Sequence, residues 1–399
     1  MSLWPGKSRA ETWRNAGLSL GFASSFHELA ACLPPSRAGG RDAPELIEAF
    51  DSGHEFVPIP SVQDIAEHQT DDMPLPSAGR LVAVVVTHDR PRQLTLTIKA
   101  LLATPPDLLA AVLVVDNASK PGSMAALDSI TDPRLICLKL ERNLGGAGGF
   151  EAGMRHAMSE LQPDWLVLMD DDARPEPEAL AVFHRLDLTG WDALAAAVRY
   201  PDGRLCEMNR PTLNPFLRPQ VMLRALAGRG REAFHLTEQD YTSGSLREVD
   251  GASFVGFFVS RRVIERVGFP DGKLFLYADD AIYTQAMTRA GYRLAFVPEM
   301  RFIHDSSTFS TSDGRIRPLW KAYYYYRNLI FLYRQAAGRW FWPVMLVYLP
   351  RWAARVWQYR GQRRDFLRVF GRAVRDGLGR RTDATHAEIR ALARTDSQG

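Results

Sequence analysis

The sequence contains little cysteine, and this limits how the chain can be stabilised. Of its 399 residues only three are cysteines, Cys32, Cys137 and Cys206. They are odd in number, widely separated, and lack the paired spacing of a zinc or redox motif. A disulfide framework is therefore excluded as the main source of stability, and a reducing compartment such as the cytoplasm is predicted. The chain must rely instead on a hydrophobic core, which its 46% apolar composition allows.

Long apolar runs are also missing. A helix that crosses a bilayer needs roughly 18 consecutive apolar residues. The best candidate, residues 340–349, is shorter and is bounded by Arg339 and Arg351. Near the N-terminus, residues 18–31 contain Ser, His and Glu where a signal peptide requires an unbroken apolar segment. The sequence therefore predicts neither a signal peptide nor a membrane span.

Acidic residues are scarce in one part of the chain. Between Arg315 and Arg381 there are 16 Lys or Arg and only two acids, Asp365 and Asp376, which gives a local charge of +14. Because the whole chain carries +3, the remainder carries −11. A basic tail of this kind is attracted to anionic lipid or to nucleic acid. No recognised nucleic-acid-binding motif accompanies it, so no nucleic-acid partner is predicted.

The order of apolar runs and polar breaks predicts an open, mostly parallel α/β sheet. Strand patterns at residues 81–87, 111–115, 135–140 and 165–169 alternate with segments of helical spacing. In such sheets ligands bind beyond the carboxyl ends of the strands. The sequence divides into an N-terminal appendage with a linker (1–78), the α/β domain (79–318), and a basic, aromatic and helical C-terminal region (319–399).

Three adjacent carboxylates, Asp170, Asp171 and Asp172, follow the fourth strand. Their mutual repulsion raises their pKa values unless a cation is bound. A hard divalent ion such as Mg²⁺ or Mn²⁺ relieves this repulsion and can bridge to a diphosphate. The alternative is a solvated acidic loop, which the preceding apolar strand disfavours because it aims the carboxylates at the sheet edge.

A polar pair, Asp116 and Asn117, ends the second strand. A carboxylate at this position can accept hydrogen bonds from ribose hydroxyls or from the imide of a base. The alternative is a turn, since Asp and Asn both favour turns through bonds to their own backbone. The sequence alone does not choose between the two.

A glycine-dense segment at residues 143–149 includes Asn143, Gly145 and Gly146. We predict a loop that leads into a helix starting at Phe150, with backbone amides able to cradle a phosphate. The segment fits neither the dinucleotide-binding fingerprint nor a P-loop. A tight turn with a purely structural role is an equally open interpretation.

Two further groups have the chemistry of an active site. Asp279 and Asp280 precede a helix, and a carboxylate in a cleft can act as general base for a sugar hydroxyl. The alternative is an acidic pair favoured by the helix dipole. His304 follows a strand-like segment and can complete a carboxylate–histidine metal site. The alternative is a structural histidine.

Taken in order, these residues resemble the motifs of family 2 glycosyltransferases. The resemblance covers roughly residues 80–335, and within the family the chain looks most like bacterial galactofuranosyl- and rhamnosyltransferases. It implies a GT-A fold, which is a Rossmann-like open sheet, a nucleotide-sugar donor, a divalent metal and inversion of the anomeric centre. The ordered residues are Thr87, Arg90, Asp116, Asn117, Asn143, Asp170, Asp171, Asp172, Gly256, Asp279, Asp280 and His304.

The resemblance also implies a role for each residue. Asp170, Asp172 and His304 are expected to bind Mn²⁺ or Mg²⁺, and Asp280 is expected to be the catalytic base. The residues expected to bind the nucleotide-sugar are Thr87, Arg90, Asp116, Asn117, Asn143, Gly145, Gly146, Asp171 and Asp279.

Phe257 and Phe258 fall where the galactofuranosyl enzymes carry a tryptophan pair that lines the acceptor site. The resemblance implies that they form an aromatic platform for the acceptor sugar, without the two indole N–H donors. The alternative is a buried strand.

The predicted function is therefore inverting hexosyl transfer from UDP-galactofuranose or dTDP-rhamnose to a glycan or lipid-linked acceptor of the cell envelope. The aromatic and arginine-rich tail favours peripheral contact with the inner face of the inner membrane. Alternatively, those aromatic residues pack the core of a helical subdomain or form a contact between copies in a homo-oligomer. The cytoplasm is the predicted compartment.

Two other classes of function remain open. A non-catalytic scaffold could keep the fold and use the basic helices to recruit partners, although the complete carboxylate and histidine set argues against this. A nucleotidyltransferase also uses paired carboxylates and a metal, and it releases pyrophosphate. Such enzymes usually carry a glycine-rich loop with Arg or Lys after the first strand, where this chain has His88, Asp89, Arg90 and Pro91.

Overall fold

The structure is a computed structural model that describes residues 78–305 and 315–394, with the side chains of 228–231 left out. The predicted N-terminal appendage, with Cys32 and the segment 18–31, lies outside the described residues except for Ala78. None of the described helices combines the length and the apolar character needed to cross a bilayer.

Nine strands form one sheet within the described residues. In chain order the strands are β1 (Leu81–Thr87), β2 (Ala111–Asp116), β3 (Leu135–Lys139), β4 (Trp165–Asp170), β5 (Ala173–Pro175), β6 (Ala193–Arg199), β7 (Arg247–Val249), β8 (Phe257–Ser260) and β9 (Leu294–His304). Their spatial order is β3-β2-β1-β4-β8-β6-β9-β5, and β7 also pairs with β9.

Most of these strands run in one direction. The pairs β3–β2, β2–β1, β1–β4 and β6–β9 are parallel. Strand β8 is antiparallel to both neighbours, β4 and β6, so those two run the same way. Strands β5 and β7 are antiparallel to β9. The prediction of a mostly parallel α/β sheet is confirmed, with reversed strands inserted in its second half.

Both faces of the sheet are covered, which explains the unbroken apolar runs. In β1, Val82, Val84 and Val86 point into one apolar layer, while Ala83 and Val85 point into the other. The helices are α1 (Pro91–Leu102), α2 (Gly145–His156), α3 (Ala179–Arg185), α4 (Pro219–Arg224), α5 (Glu238–Tyr241), α6 (Arg261–Val267), α7 (Asp279–Arg289), α8 (Trp320–Ala337), α9 (Phe341–Ala354), α10 (Arg363–Leu378) and α11 (His386–Leu392).

The C-terminal region is helical, as predicted. Helices α8 to α11 belong to the same apolar layer as Val82 and Val84, and side chains such as Tyr323, Tyr326 and Phe366 are fully buried in it. The hydrophobic core is therefore continuous across residue 318, where the sequence predicts a boundary.

A strained loop connects α6 to α7. Phe275, Tyr277 and Ala278 adopt left-handed backbone conformations with φ of 66°, 73° and 60°. Such conformations are costly for residues other than glycine and persist only where surrounding contacts hold them. The loop ends where α7 begins, so its shape sets the position of Asp279 and Asp280.

Helix α8 supplies the contacts that hold this loop. The buried Arg327 donates from Nη2 to the carbonyl oxygen of Leu274 at 2.8 Å. Its neighbour Asn328 donates from Nδ2 to the carbonyl oxygens of Leu276 and Tyr277, each at 2.9 Å. These bonds satisfy buried carbonyl groups that no regular secondary structure pairs. The C-terminal helices thus fix the loop that presents the acidic pair.

Candidate active site

A cavity of about 620 Å³ opens at the carboxyl ends of β1, β4 and β9. The N-terminal end of β8 lies at the same edge because that strand is reversed. All but three of the predicted site residues line this cavity. Those that line it are Thr87, Arg90, Asn117, Asn143, Gly145, Gly146, Asp170, Asp171, Asp172, Asp279, Asp280 and His304.

Two carboxylates and one imidazole converge at the base of the cavity. One ligand atom from each of Asp170, Asp172 and His304 lies within 4.8 Å of the others. The convergence follows from the sheet, because β5 pairs with β9 and sets Ala173 opposite His304. Nε2 of His304 lies 3.1 Å from Oδ1 of Asp172. Carboxylate oxygens and an imidazole nitrogen in this arrangement fit one divalent cation.

The carboxylates of this cluster differ in acidity. Burial, followed by the neighbouring Asp172 carboxylate, raises the pKa of Asp170 to about 7. Burial also raises the pKa of Asp171 to about 6. For Asp172, burial acts in the same direction, but hydrogen bonds and charges from His304 and Arg90 outweigh it and lower the pKa. The predicted rise in pKa is therefore found at Asp170 and Asp171, where burial is its largest cause, and not at Asp172.

A cation from the chain itself already compensates part of this charge. Nη1 of Arg90 donates to Oδ2 of Asp172 at 2.6 Å and to Oδ1 of Asp171 at 3.3 Å. The hydroxyl of Thr87 donates to Oδ2 of Asp171 at 2.7 Å. Asp171 is therefore held by β1 and by Arg90, whereas Asp170 and Asp172 are the pair that faces His304.

The other ring nitrogen of His304 is also bound. Nδ1 lies 2.7 Å from Oδ1 of Asn209, and Nδ2 of Asn209 donates to Oγ of Ser253 at 2.8 Å. The thiol of Cys206 donates to the same Asn209 oxygen at 2.9 Å. Because Oδ1 of Asn209 can only accept, Nδ1 carries a proton, and Nε2 is the nitrogen that faces Asp170 and Asp172. Burial alone would lower the pKa of His304, but hydrogen bonds and charge from Asp172 and Cys206 outweigh it and raise the pKa to about 10. Nε2 therefore donates to Asp172, and a cation bound there would replace that proton.

Asn209 is a site residue that no sequence pattern indicated. It lies in an irregular part of the chain that matches no strand or helix pattern, and one asparagine there has no distinguishing signal. Its side chain reaches His304, 95 positions away in the chain, only because Leu205 and Cys206 pair back onto the end of β6, the neighbour of β9.

The glycine-dense segment is helical, so the prediction of a loop with a helix starting at Phe150 is wrong. Helix α2 begins at Gly145, which has φ of +73° and whose N–H donates to Oδ1 of Asn143 at 2.8 Å. Cβ atoms at Gly149 and Gly153 would clash with valine side chains of the sheet. The glycines allow α2 to approach β1 closely, and its N-terminus points into the cavity.

Asn117 organises the entrance to this helix. Its Oδ1 accepts from the N–H of Leu144 and its Nδ2 donates to the carbonyl oxygen of Gly145, both at 2.8 Å. Asn117 is buried, so these bonds are shielded from water. The side chain therefore joins the ends of β2 and the helix that form one wall of the cavity.

The acidic pair lies at the N-terminus of α7. Burial raises the pKa of Asp280 to about 6, against hydrogen bonds from its own backbone and that of Ala281, which lower it. Burial raises the pKa of Asp279 well above its usual range, and the Asp280 and Asp170 charges add to this. A buried carboxylate whose pKa is raised to about 6, as for Asp280, is suited to accept a proton near neutral pH.

Three predicted site residues do not line the cavity. Asp116 is buried beside it, and its Oδ1 accepts from the N–H of Ser119 at 2.8 Å, which is the turn alternative. Phe257 and Phe258 are fully buried, and Phe258 stacks on Phe183 at 4.8 Å. Their predicted contact with an acceptor is wrong because β8 is an interior strand, so side chains on both of its faces enter the core.

The C-terminal helices form a wall that sequence reasoning did not identify. Trp320, Lys321 and Tyr325 of α8, with His386 and Arg390 of α11, line the cavity. The imidazole of His386 stacks on the ring of Phe275 at 4.5 Å with an interplanar angle of 20°. Only the tertiary fold brings these residues to the sheet edge. The aromatic content of the tail was the available signal.

The chain was compared with known proteins. The family model "Glycosyl transferase family 2" matches residues 82–227. The galactofuranosyltransferase GlfT1 of Mycolicibacterium smegmatis is 30% identical over 322 residues, which cover 75% of this chain and 96% of that protein. The galactofuranosyltransferase GlfT2 of the same organism is 27% identical over 295 residues, 68% of this chain and 43% of that protein.

Among solved structures, S. aureus TarS residues 1–349 in complex with UDP-GlcNAc has a TM-score of 0.48 at 13% identity and covers 79% of this chain and 88% of that one. The mannosyltransferase PcManGT of Pyrobaculum calidifontis, in complex with GDP-Man and Mn²⁺, has a TM-score of 0.43 at 18% identity, with coverage of 82% and 83%.

The match to GlfT1 spans nearly the whole of that protein, and the family model matches the segment that carries β1 to β6. The resemblance inferred from the ordered motifs is confirmed, and so is the predicted GT-A fold class. The chain belongs to glycosyltransferase family 2 and is a glycosyltransferase related to the galactofuranosyltransferases.

Proposed function

We propose that this glycosyltransferase transfers galactofuranose from UDP-galactofuranose to a glycan or lipid-linked acceptor of the cell envelope, with inversion at the anomeric carbon. The activity named for the GlfT1 and GlfT2 relatives supports this donor over dTDP-rhamnose. One observation carries the reaction class. Asp170, Asp172 and His304 meet on the same cavity that Asp280 lines.

The donor is proposed to bind along β1 and the N-terminus of α2. The helix dipole and the first backbone amides of α2 favour an anionic group there. Thr87 and Arg90 lie at the end of β1, and Asn117 and Asn143 shape the turn into α2. In this arrangement the nucleoside lies toward β2, and the diphosphate points toward Arg90 and the acidic cluster.

Asp170, Asp172 and His304 are proposed to hold a Mn²⁺ or Mg²⁺ ion, which when bound offsets the negative charge that grows on the leaving diphosphate. The donor set supports this, because two carboxylate oxygens and one imidazole nitrogen lie within 4.8 Å of one another. Arg90 contributes a second positive charge at the same place, since its guanidinium lies 2.6 Å from Asp172. Arg90 thus stabilises the leaving diphosphate beside the place where the three residues would hold the ion.

Asp280 is proposed as the general base. Its carboxylate takes the proton of the acceptor hydroxyl as the oxygen attacks the anomeric carbon on the face opposite the diphosphate. The bond to the diphosphate breaks, the diphosphate keeps the electron pair, and the proton stays on Asp280. A pKa raised to about 6 suits this role, because the group is ionised near neutral pH and is still basic.

The acceptor is proposed to bind against the C-terminal wall in place of Phe257 and Phe258. Trp320, which is only half-buried, offers an aromatic face on which a sugar can stack. Arg390 adds a cation that suits an anionic part of a lipid-linked acceptor. With the local charge of +14 on residues 315–381, this supports work in the cytoplasm on acceptors held at the inner face of the membrane.

The reaction class is tested by identifying the released product. Full-length protein incubated with UDP-galactofuranose and Mn²⁺ should release UDP slowly without acceptor and faster with a galactan acceptor. Release of pyrophosphate would favour a nucleotidyltransferase, and release of no nucleotide from any donor would favour a scaffold. A parallel screen of nucleotide-sugars for thermal stabilisation identifies the donor, and stabilisation by dTDP-rhamnose alone would overturn the choice of sugar.

A further inference from the structure

The outer face of helix α9 is apolar although it faces solvent. Trp342 and Leu346 lie one turn apart and are 63% and 80% exposed. Pro343 and Pro350 are also exposed on this helix, and residues 340–350 contain no charged side chain. A helix that only covers a core presents polar residues on its solvent side. An exposed apolar face of this kind indicates an interaction site.

The inner face of the same helix is packed as a core helix should be. Met345, Tyr348 and Trp352 are buried, and the ring of Tyr348 stacks on that of Tyr333 in α8 at 5.0 Å. The buried side of α9 is therefore fixed by packing against the core. Its exposed apolar side takes no part in that packing. The surface is preformed, and binding through it requires no rearrangement of the helix.

From α9 to the end of α10, every exposed charged side chain is positive. The two acids between Arg315 and Arg381, namely Asp365 and Asp376, are both buried. Asp365 pairs with Arg368 at 3.7 Å, and Asp376 pairs with arginines of its own helix. Helix α10 exposes arginines and no acid. The exposed ones on and next to α10 are Arg360, Arg363, Arg364, Arg368, Arg375, Arg380 and Arg381.

Trp357 joins the apolar and the cationic parts. It lies in the turn between α9 and α10 and is 67% exposed. The guanidinium of Arg363 lies 4.8 Å from the centre of its ring. Tryptophan beside arginine is the combination that proteins place at the level of lipid headgroups. We call Trp340, Trp342, Leu346, Trp357, Arg363 and Arg364 the α9–α10 surface.

We propose that the α9–α10 surface docks the protein onto an anionic lipid bilayer, with α9 lying in the plane of the interface. Trp342 and Leu346 enter the boundary between headgroups and acyl chains, while the arginines of α10 contact lipid phosphates. Charge complementarity selects this occupant. A second copy of the chain would bring the same exposed arginines against each other, and a neutral partner would leave Arg363 and Arg364 without a counter-charge.

Vesicle sedimentation with the full-length chain tests the proposal. The protein should sediment with vesicles that contain phosphatidylglycerol and phosphatidylcholine, bind pure phosphatidylcholine at least about tenfold more weakly, and dissociate as salt is raised. The double variant Trp342→Glu/Leu346→Glu should bind the anionic vesicles at least about tenfold more weakly, since two apolar insertions are replaced by charges that the surface repels.

Leu96→Glu is the matched control. Leu96 is an exposed leucine of α1, which packs on the opposite face of the sheet from α8 to α10. Its replacement should leave vesicle binding unchanged. A second variant, Arg363→Gln/Arg364→Gln, keeps the apolar face and should weaken the binding mainly at low salt.

Two results would overturn the proposal. One is sedimentation of the Trp342→Glu/Leu346→Glu variant with anionic vesicles to the same extent as the wild type. The other is a wild-type dimer in size-exclusion chromatography that this variant converts to a monomer, because the surface would then join two copies of the chain.

Discussion

Oδ1 of Asn209 lies 2.7 Å from Nδ1 of His304 and so determines which nitrogen of the imidazole faces Asp170 and Asp172. The amide is itself oriented, because its Nδ2 donates to Ser253. A histidine held in this way needs no reorientation before it ligates a cation, and the cost of fixing the ring is met during folding. Asn209 is thus a positioning residue for the proposed metal site.

Replacing Asn209 by Ala should weaken Mn²⁺ binding by about tenfold or more, because the ring loses the acceptor that fixes its tautomer. Titration calorimetry with Mn²⁺ alone measures this without any sugar. Asn209→Asp keeps an acceptor at the same place and should bind Mn²⁺ better than Asn209→Ala. Equal affinity of the wild type and Asn209→Ala would remove the assigned role.

The Asp280→Asn variant should lose transfer by at least about a hundredfold, because the amide cannot accept the acceptor's proton. Donor affinity, measured by thermal stabilisation with the nucleotide-sugar, should stay within a few-fold of the wild type. Asp279→Asn is the informative comparison. Because burial raises the pKa of Asp279 well above its usual range, the neutral amide resembles its protonated form, and transfer should fall much less. Loss of donor binding in Asp280→Asn would contradict the base assignment.

The transfer rate should depend on pH through the Asp280 carboxyl group. Its folded pKa is raised to about 6, and the base acts only when deprotonated, so kcat/KM should fall as the pH drops below that value. The expected limiting slope is about tenfold per pH unit. Circular dichroism at each pH controls for unfolding. A rate that is constant from about pH 5 to about pH 8 would exclude this group as the base.

Asp172→Ala should abolish the increase in melting temperature that Mn²⁺ produces in the wild type, since it removes one of three ligands. Chelation by EDTA should return the wild type, but not the variant, to a lower melting temperature. Asp187→Ala is a suitable control, because this carboxylate lies outside the cavity lining and only accepts from the nearby N–H of Thr189. An unaltered response to Mn²⁺ in Asp172→Ala would refute the site.

Asn328→Ala should lower transfer without removing donor binding, because the loop that places Asp280 loses its anchor on α8. Leaving buried carbonyl groups unpaired should also reduce the free energy of unfolding by about 1–3 kcal/mol. Gln335→Ala is the matched control. Gln335 lies on the same helix and also donates to a carbonyl oxygen, that of Ile282 inside α7. If both variants lose activity equally, the effect is general destabilisation.

Local sequence patterns predicted the sheet and the acidic cluster. Strands such as β1 and β4 are buried on both faces, so their sequences are unbroken apolar runs. The residues that directly follow such a run lie at the carboxyl edge of the sheet, where ligands bind. Asp170 and Asp172 could therefore be predicted to lie at the sheet edge. The ordered series of motifs, rather than any single residue, identified the family.

Other features depend on contacts that no local pattern records. The sequence around Phe257 and Phe258 fits a binding platform and a core strand equally well. Both residues are in the core because β8 lies between β4 and β6, in the interior of the sheet. The glycines after Asn143 are helical because only residues without a side chain let this helix pack closely against β1. Their low helix propensity predicts a loop instead. Asn209 and the wall formed by α8 and α11 reach the cavity only through tertiary folding.

The hold of α8 on the loop at residues 272–278 has a consequence for protein engineering. That loop contains three left-handed residues, and it is held by a helix that follows it by about fifty positions, as in the bonds from Asn328 to Leu276 and Tyr277. A chimera that takes its C-terminal helices from another family member must also take that member's loop. Otherwise the acidic pair loses its placement even though every residue of the nucleotide pocket is retained.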